Sequence, residues 1–286
     1  MTGFCRRRRI YSADCHFSQK RMSVLKNCMK DFQSHMVQYR KINAARLQIQ
    51  HEVKTMKCDA KVALITGGGK GGGIGYGLST AFAKAGYNLV ITGRNTKKLD
   101  EAKEELERLY GIQVLTCQAD GGVEAQVEEV VKKAGETFGR IDVLINNAQA
   151  SKSGVSLVDH TKEDFDLAIY SGLYAAFFYM KHAYPYLKEA QGSVVNFASG
   201  AGISGRLGQS SYAAAKEGIR GMTRVAANEW GKDNINCNVV CPLVMTDQLK
   251  AWRQQYPDLY EKTIAAVPMG RFGDPEKDIG QVCLFL

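Results

Sequence analysis

The sequence predicts an α/β domain in which a doubly wound parallel sheet carries helices on both faces. Three observations predict it. From Lys57 onward, short continuous apolar segments alternate with stretches of helical periodicity. The first apolar segment runs straight into a series of glycines and then into a helical pattern. The chain has 286 residues, 45% of them hydrophobic, which is enough for a substantial core. No apolar run approaches the ~18 residues needed to span a bilayer.

The elements follow in order. Val62 to Thr66 is a short apolar strand that ends in glycines, and helical periodicity follows from about Gly75 to Ala85. Asn88 to Thr92 is the next strand, followed by an amphipathic helix rich in Glu and Lys over Thr96 to Tyr110. Ile112 to Cys117 is a strand, Val123 to Phe138 a helix, and Ile141 to Ile145 a strand. One long helix is expected over Glu163 to Leu187. Ser193 to Phe197, Ser211 to Trp230 and Asn236 to Val240 complete a strand, a helix and a strand. Pro275 to Leu286 reads as the start of a further helix. No internal repeat is evident.

Charge divides the chain. Residues 1–55 hold 12 Lys/Arg against 3 Asp/Glu, so the whole net charge of +9 lies there. The body, residues 56–286, is neutral, which argues against nucleic acid as its partner. The extension has four consecutive arginines, Arg6 to Arg9, and a weak heptad at Met22, Leu25, Met29, Phe32, Met36 and Tyr39. It reads as a poorly ordered or partly helical arm, with a targeting segment or a partner-binding arm as alternatives. Met56 opens a segment that looks like a natural start, so residues 1–55 are a candidate for upstream sequence that is not normally translated. The eight cysteines form no C-x-x-C pair and no zinc spacing with the histidines. They read as free thiols in a reducing, cytoplasmic compartment, and no metal site is expected.

The glycine turn is the first candidate site. It reads Thr66-Gly67-Gly68-Gly69-Lys70-Gly71-Gly72-Gly73-Ile74-Gly75. Glycine lets a backbone turn tightly and approach a pyrophosphate, and the helix that follows offers free N–H groups to the anion. In the first β-α unit this is the context of a Rossmann dinucleotide site. A cofactor with a free ribose 2′-hydroxyl usually meets an acidic residue about 20 residues on. The position twenty past Gly75 is Asn95, and no acid lies between Gly86 and Leu99. Arg94 follows the second strand instead, and Lys70 sits inside the loop. A charge-assisted bond to a 2′-phosphate contributes about 1.5–3 kcal/mol, roughly tenfold or more in preference. NADP(H) is therefore expected over NAD(H), with ordinary surface charge as the other reading of Arg94 and Lys70.

The second candidate site is Tyr212-Ala213-Ala214-Ala215-Lys216, preceded by Ser199. Residues at i and i+4 share a helix face. A lysine beside a phenol stabilises the phenolate and makes Tyr212 a workable proton carrier.

Together these features resemble the short-chain dehydrogenase/reductase family, from about Lys57 to the last residue. The motifs are the glycine loop, Asn146-Asn147-Ala148, Ser199, Tyr212 with Lys216, and Pro242 with Thr246. The resemblance implies that Ser199 polarises the substrate oxygen, Tyr212 transfers the proton, and Lys216 binds the nicotinamide ribose and tunes Tyr212. It implies cofactor contacts at Gly67, Gly73, Ile74, Gly75, Asp120, Ala148 and Thr246, with Asn146 supporting the sheet centre. Segments such as Ile169-Tyr170-Ser171-Gly172-Leu173-Tyr174 and Val267-Pro268-Met269-Gly270-Arg271-Phe272 are similar to the hydroxysteroid dehydrogenases within the family. That narrower likeness implies the 12α-hydroxyl of bile acids as substrate. A 3-oxoacyl-thioester reductase and a non-catalytic cofactor-sensing or nucleic-acid-binding protein remain as alternatives.

Departures from the family pattern are equally specific. The glycine loop is two residues longer, N-N-A-G reads N-N-A-Gln149, and P-G reads Pro242-Leu243. The helix position that holds a water-binding Asn in the family is Gly172. The resemblance also implies one more edge strand after Leu286 and a homodimer or homotetramer. The apolar residues between Leu243 and Met269 read either as a mobile lid over a steroid, with Leu243 and Met245 on the substrate, or as core contacts of a short helix pair. Tyr174, Phe177, Phe178 and Tyr179 read as packing at a subunit interface.

Overall fold

The computed structural model describes residues 60–286. The basic extension, its heptad, and Cys5, Cys15, Cys28 and Cys58 lie outside the described residues. The strands are β1 (Val62–Thr66), β2 (Asn88–Gly93), β3 (Val114–Gln118), β4 (Val143–Asn146), β5 (Ser193–Phe197) and β6 (Asn236–Val240). They form one parallel sheet in the order β3-β2-β1-β4-β5-β6. The chain builds outward from β1 to β3, then returns to β4 on the other side of β1. That reversal opens a crevice at the carboxyl ends of β1 and β4.

Parallel strands need crossovers, and the helices supply them. In chain order they are α1 (Ile74–Lys84), α2 (Thr96–Tyr110), α3 (Glu124–Phe138), α4 (Lys162–Ala168), α5 (Ala175–Ala190), α6 (Gly200–Ser204), α7 (Ser210–Trp230), α8 (Asp247–Gln255), α9 (Pro257–Ala265) and α10 (Gln281–Phe285). Alternate residues of one strand feed opposite cores. Val62 and Leu64 of β1 pack with Val127, Val130 and Phe138 of α3 and with Met180, Ala183 and Leu187 of α5. Ala63 and Ile65 pack with Leu78 and Phe82 of α1 and with Leu99, Ala102 and Leu106 of α2. All four β1 residues are fully buried, which is why the strand reads as a continuous apolar run.

Three differences from the sequence reading have local causes. β3 starts at Val114 rather than Ile112, because the Gln113 N–H is taken by the Asn88 side chain before strand pairing begins. The expected single helix over Glu163 to Leu187 is interrupted by a π-helical turn, Ile169–Tyr174. There the Ser171 hydroxyl accepts from the Ala150 N–H at 3.0 Å, and its one proton is shared between the Leu167 carbonyl and the Ala150 carbonyl at 2.9 Å. The segment after Asp274 opens with a second π-helical turn, Pro275–Gly280, before α10.

The stretch from Leu243 to Met269 contains the helix pair α8 and α9. Its aromatic residues pack on each other, Trp252 on Tyr260 and Tyr260 on Phe272, with the Arg253 guanidinium 4.6 Å from the Tyr260 ring centre. Tyr179 corrects the interface reading: it is only 1% exposed, and its hydroxyl lies 3.2 Å from Thr92 Oγ1. Tyr174 and Phe177 do face outward, at 41% and 43% exposure. No helix among the described residues is long and apolar enough to cross a membrane.

Candidate active site

The crevice at the carboxyl ends of β1 and β4 is a cleft of about 880 Å³. Thr66, the last residue of β1, holds its rim together. Its Oγ1 accepts from the N–H groups of Asn147 (2.9 Å) and Ala148 (3.0 Å), and the Asn147 amide donates to the Thr66 carbonyl at 2.9 Å. The chain then turns at Gly67 with φ +72°, a conformation side chains disfavour. Gly75 meets the loop so closely that a Cβ there would lie 2.0 Å from the Gly67 carbonyl oxygen.

Gly73 is the N-cap of α1 and provides no side-chain cap, so the first N–H groups of the helix keep no side-chain partner. The two-residue extension of the loop is anchored at both ends. Lys70 N–H donates to the Lys98 carbonyl (2.7 Å), and Asp247 N–H donates to the Gly72 carbonyl (3.0 Å).

A recess of about 480 Å³ continues from the cleft toward α2. Lys70, Gly73, Arg94, Asn95 and Lys98 line it. Asn95 caps α2 by accepting from Lys98 N–H at 3.0 Å. Lys70 is ion-paired to Glu105, which raises its pKa, so its charge is already matched. Arg94 and Lys98 form no ion pair among the described residues. Lys98 was not singled out from the sequence; its place three residues past a helix cap that follows a strand was the available signal.

At the other end, α7 brings Tyr212 and Lys216 to the cleft wall. His160 secures the start of that helix, with its ring nitrogens 2.9 Å from Ser211 Oγ and 3.2 Å from Ser210 Oγ. The Lys216 ammonium lies 5.6 Å from the centre of the Tyr212 ring and donates to the Phe197 carbonyl at 2.6 Å. Burial pulls the Lys216 pKa down to about 8.

Ser199 is two residues beyond Phe197, but it is not among the residues that line the cleft. Its Oγ caps α6, accepting from Ala201 N–H at 3.2 Å. Asp120, Ala148, Ile74 and Thr246 line the cleft, and Thr246 also caps α8. Gly75 and Asn146 lie behind it, with Asn146 Nδ2 donating to Asn196 Oδ1 at 2.8 Å. Leu243 and Met245 do not line it: Leu243 is 52% exposed, and the backbones of both are tied to Gly273. Gln149, on the cleft wall, stood out from the sequence only as a motif departure.

The crevice carries a phenol and a buried amine at one end and, at the other, two cations with no ion pair among the described residues. Known proteins resemble the chain over this fold. A family model described as enoyl-(acyl carrier protein) reductase matches residues 68–286. The 12α-hydroxysteroid dehydrogenase of a Clostridium species is 66% identical over 232 residues, covering 80% of this chain and 90% of that protein. A 3-oxoacyl-[acyl-carrier-protein] reductase of Thermotoga maritima is 36% identical over 233 residues, covering 81% and 92%. The crystal structure of L-sorbose reductase from Gluconobacter frateurii, complexed with NADPH and L-sorbose, superposes with a TM-score of 0.73 at 26% identity, covering 81% and 90%. Strand order, crevice and likeness over four fifths of the chain agree, and the chain belongs to the short-chain dehydrogenase/reductase family of oxidoreductases.

Proposed function

We propose that this chain is an NADP(H)-dependent dehydrogenase that interconverts a secondary alcohol and a ketone, with the 12α-hydroxyl of a bile acid as substrate. The observation that carries the chemistry is Lys216 held against the Tyr212 ring on the cleft wall. The 66% identity to a 12α-hydroxysteroid dehydrogenase supports the substrate.

The residues present fit the cofactor. The glycine turn and the uncapped start of α1 suit a pyrophosphate, and Arg94 with Lys98 suits a 2′-phosphate. Asp120 would face the adenosine, and Thr246 the nicotinamide end. When bound, NADP+ supplies the acceptor for the hydrogen leaving the carbinol carbon with its electron pair. Tyr212 takes the hydroxyl proton in oxidation and returns it in reduction. Lys216, still largely protonated at neutral pH, favours the phenolate by its charge. Ser199 holds the substrate oxygen once its hydroxyl turns away from Ala201.

The likeness to a 3-oxoacyl-thioester reductase supports a second reading with the same machinery. For the whole protein, the outward aromatic residues of α5 and the facing surface of α7 support a homodimer or homotetramer.

NADPH formation from NADP+ with deoxycholate, compared with chenodeoxycholate, tests the substrate. Turnover of deoxycholate only is expected, because chenodeoxycholate lacks the 12-hydroxyl. Activity with an acetoacetyl thioester alone would favour the second reading. Tyr212→Phe should bind NADPH and lose about 10²–10⁴ in turnover. Arg94→Asp should shift preference toward NAD by about tenfold or more.

A further inference from the structure

Gln149 follows β4 in the loop along the cleft. Both Oε1 and Nε2 of its carboxamide are buried, and neither has a hydrogen-bond partner among the described residues. Buried amides rarely stay unpaired, because desolvation is then uncompensated.

The carboxamide lies over Gly172. A Cβ at 172 would come within 2.7 Å of Gln149 Cδ, 2.9 Å of Oε1 and 3.0 Å of Nε2. Only glycine leaves that space open. The two backbones are tied together here, because Ser171 beside Gly172 is hydrogen-bonded to Ala150 beside Gln149. The result is a carboxamide with no hydrogen-bond partner among the described residues, on a residue that lines the same cleft as Tyr212 and Lys216. A carboxamide offers one acceptor and two donors, and a hydroxyl answers both.

We propose that Gln149 is a ligand-contacting residue whose carboxamide exchanges hydrogen bonds with a hydroxyl of the bound molecule, and that Gly172 is glycine to leave room for it. The proposal rests on the oxidoreductase reading only in assigning a hydroxyl-bearing ligand to this cleft. The hydroxyl comes either from the substrate alcohol or from a cofactor ribose, and the measurements separate the two.

Gln149→Met keeps the length of the side chain and removes both polar groups. The melting temperature of the ligand-free variant should rise by about 2–8 °C, because an unpaired buried amide is gone. Affinity should fall by about five- to a hundredfold for the molecule that carries the hydroxyl. NADPH fluorescence titration without substrate reads the cofactor arm, and KM for deoxycholate reads the substrate arm. A purely structural Gln149 gives the opposite pattern, a lower melting temperature with unchanged affinities. Gly172→Ala should weaken the same affinity by displacing the carboxamide, and should add no further loss to Gln149→Gly. An unchanged or lower melting temperature in Gln149→Met overturns the proposal. Additive losses, or unchanged affinity in both arms, overturn it as well. If the wild-type enzyme fails to oxidise deoxycholate, the substrate proposed above falls; the melting temperature and the additivity of the two substitutions on NADPH affinity then decide this proposal.

Discussion

Lys216 is 3% exposed, and its amine has the Phe197 carbonyl as hydrogen-bond acceptor. Burial lowers its pKa from 10.5 to about 8 in the fold. Between those two values the unfolded chain binds more protons than the native state, so this residue makes stability rise with pH there. Below the native pKa the destabilisation is constant and of order 3 kcal/mol. Lys216→Met has no amine to titrate. Its stability relative to the wild type should therefore fall by about 3 kcal/mol between pH 7 and pH 10.5. Urea denaturation at several pH values measures this, and parallel pH profiles for the two proteins would contradict it. The tyrosine and lysine were legible in the sequence because helical spacing places i and i+4 together whatever the tertiary fold. The placement of Gln149 was not, because neither residue type nor spacing marks which amide a cleft will take in, and Lys98 left only its spacing from a helix cap as a signal.

At the scale of elements, the C-terminal end of β1 is the joint between sheet and site. Thr66 takes two N–H groups from the loop after β4 and donates to the Ile145 carbonyl at 3.4 Å. Thr66→Val preserves shape and leaves those N–H groups without their acceptor. Stability should drop by about 1–3 kcal/mol, and NADPH affinity should drop with it, because the crevice rim loosens. Chemical denaturation and a binding titration check the two together, and loss of neither would show that the rim is held elsewhere. The strands were legible for the reason that makes β1 fully buried, since a sheet covered on both faces demands apolar residues in succession. The π-helical turn at Ile169–Tyr174 was not legible. It depends on the grip of Ser171 on Ala150, 21 residues earlier, and such a bond leaves no periodic trace. The helix pair after β6 was one of two open readings, and its aromatic packing around Tyr260 matches that one.

For the whole molecule, the described residues bury two cores and leave an apolar groove in the open between α5 and α7. Phe177, Met180, Tyr184, Met222, Val225 and Trp230 line a groove of about 390 Å³ between α5 and α7. Phe177 and Val225 are 43% and 55% exposed, and Tyr170, Tyr174 and Phe178 extend the patch by ring stacking. A contiguous patch of this kind marks an association surface. Phe177→Asp with Val225→Asp should reduce the mass measured by light scattering to that of a smaller assembly, while far-ultraviolet circular dichroism stays native. An unaltered mass would move the interface to another face.

The contact between Gly172 and Gln149 also constrains which pairs of residues these two positions accept together. A glutamine at 149 beneath any larger residue at 172 meets a side chain inside van der Waals distance. A glycine at 172, above a small residue at 149, leaves only a void. The side chain carried at 172 therefore decides which rotamers of Gln149 are open. Two positions 23 residues apart in the linear sequence are therefore coupled in the fold.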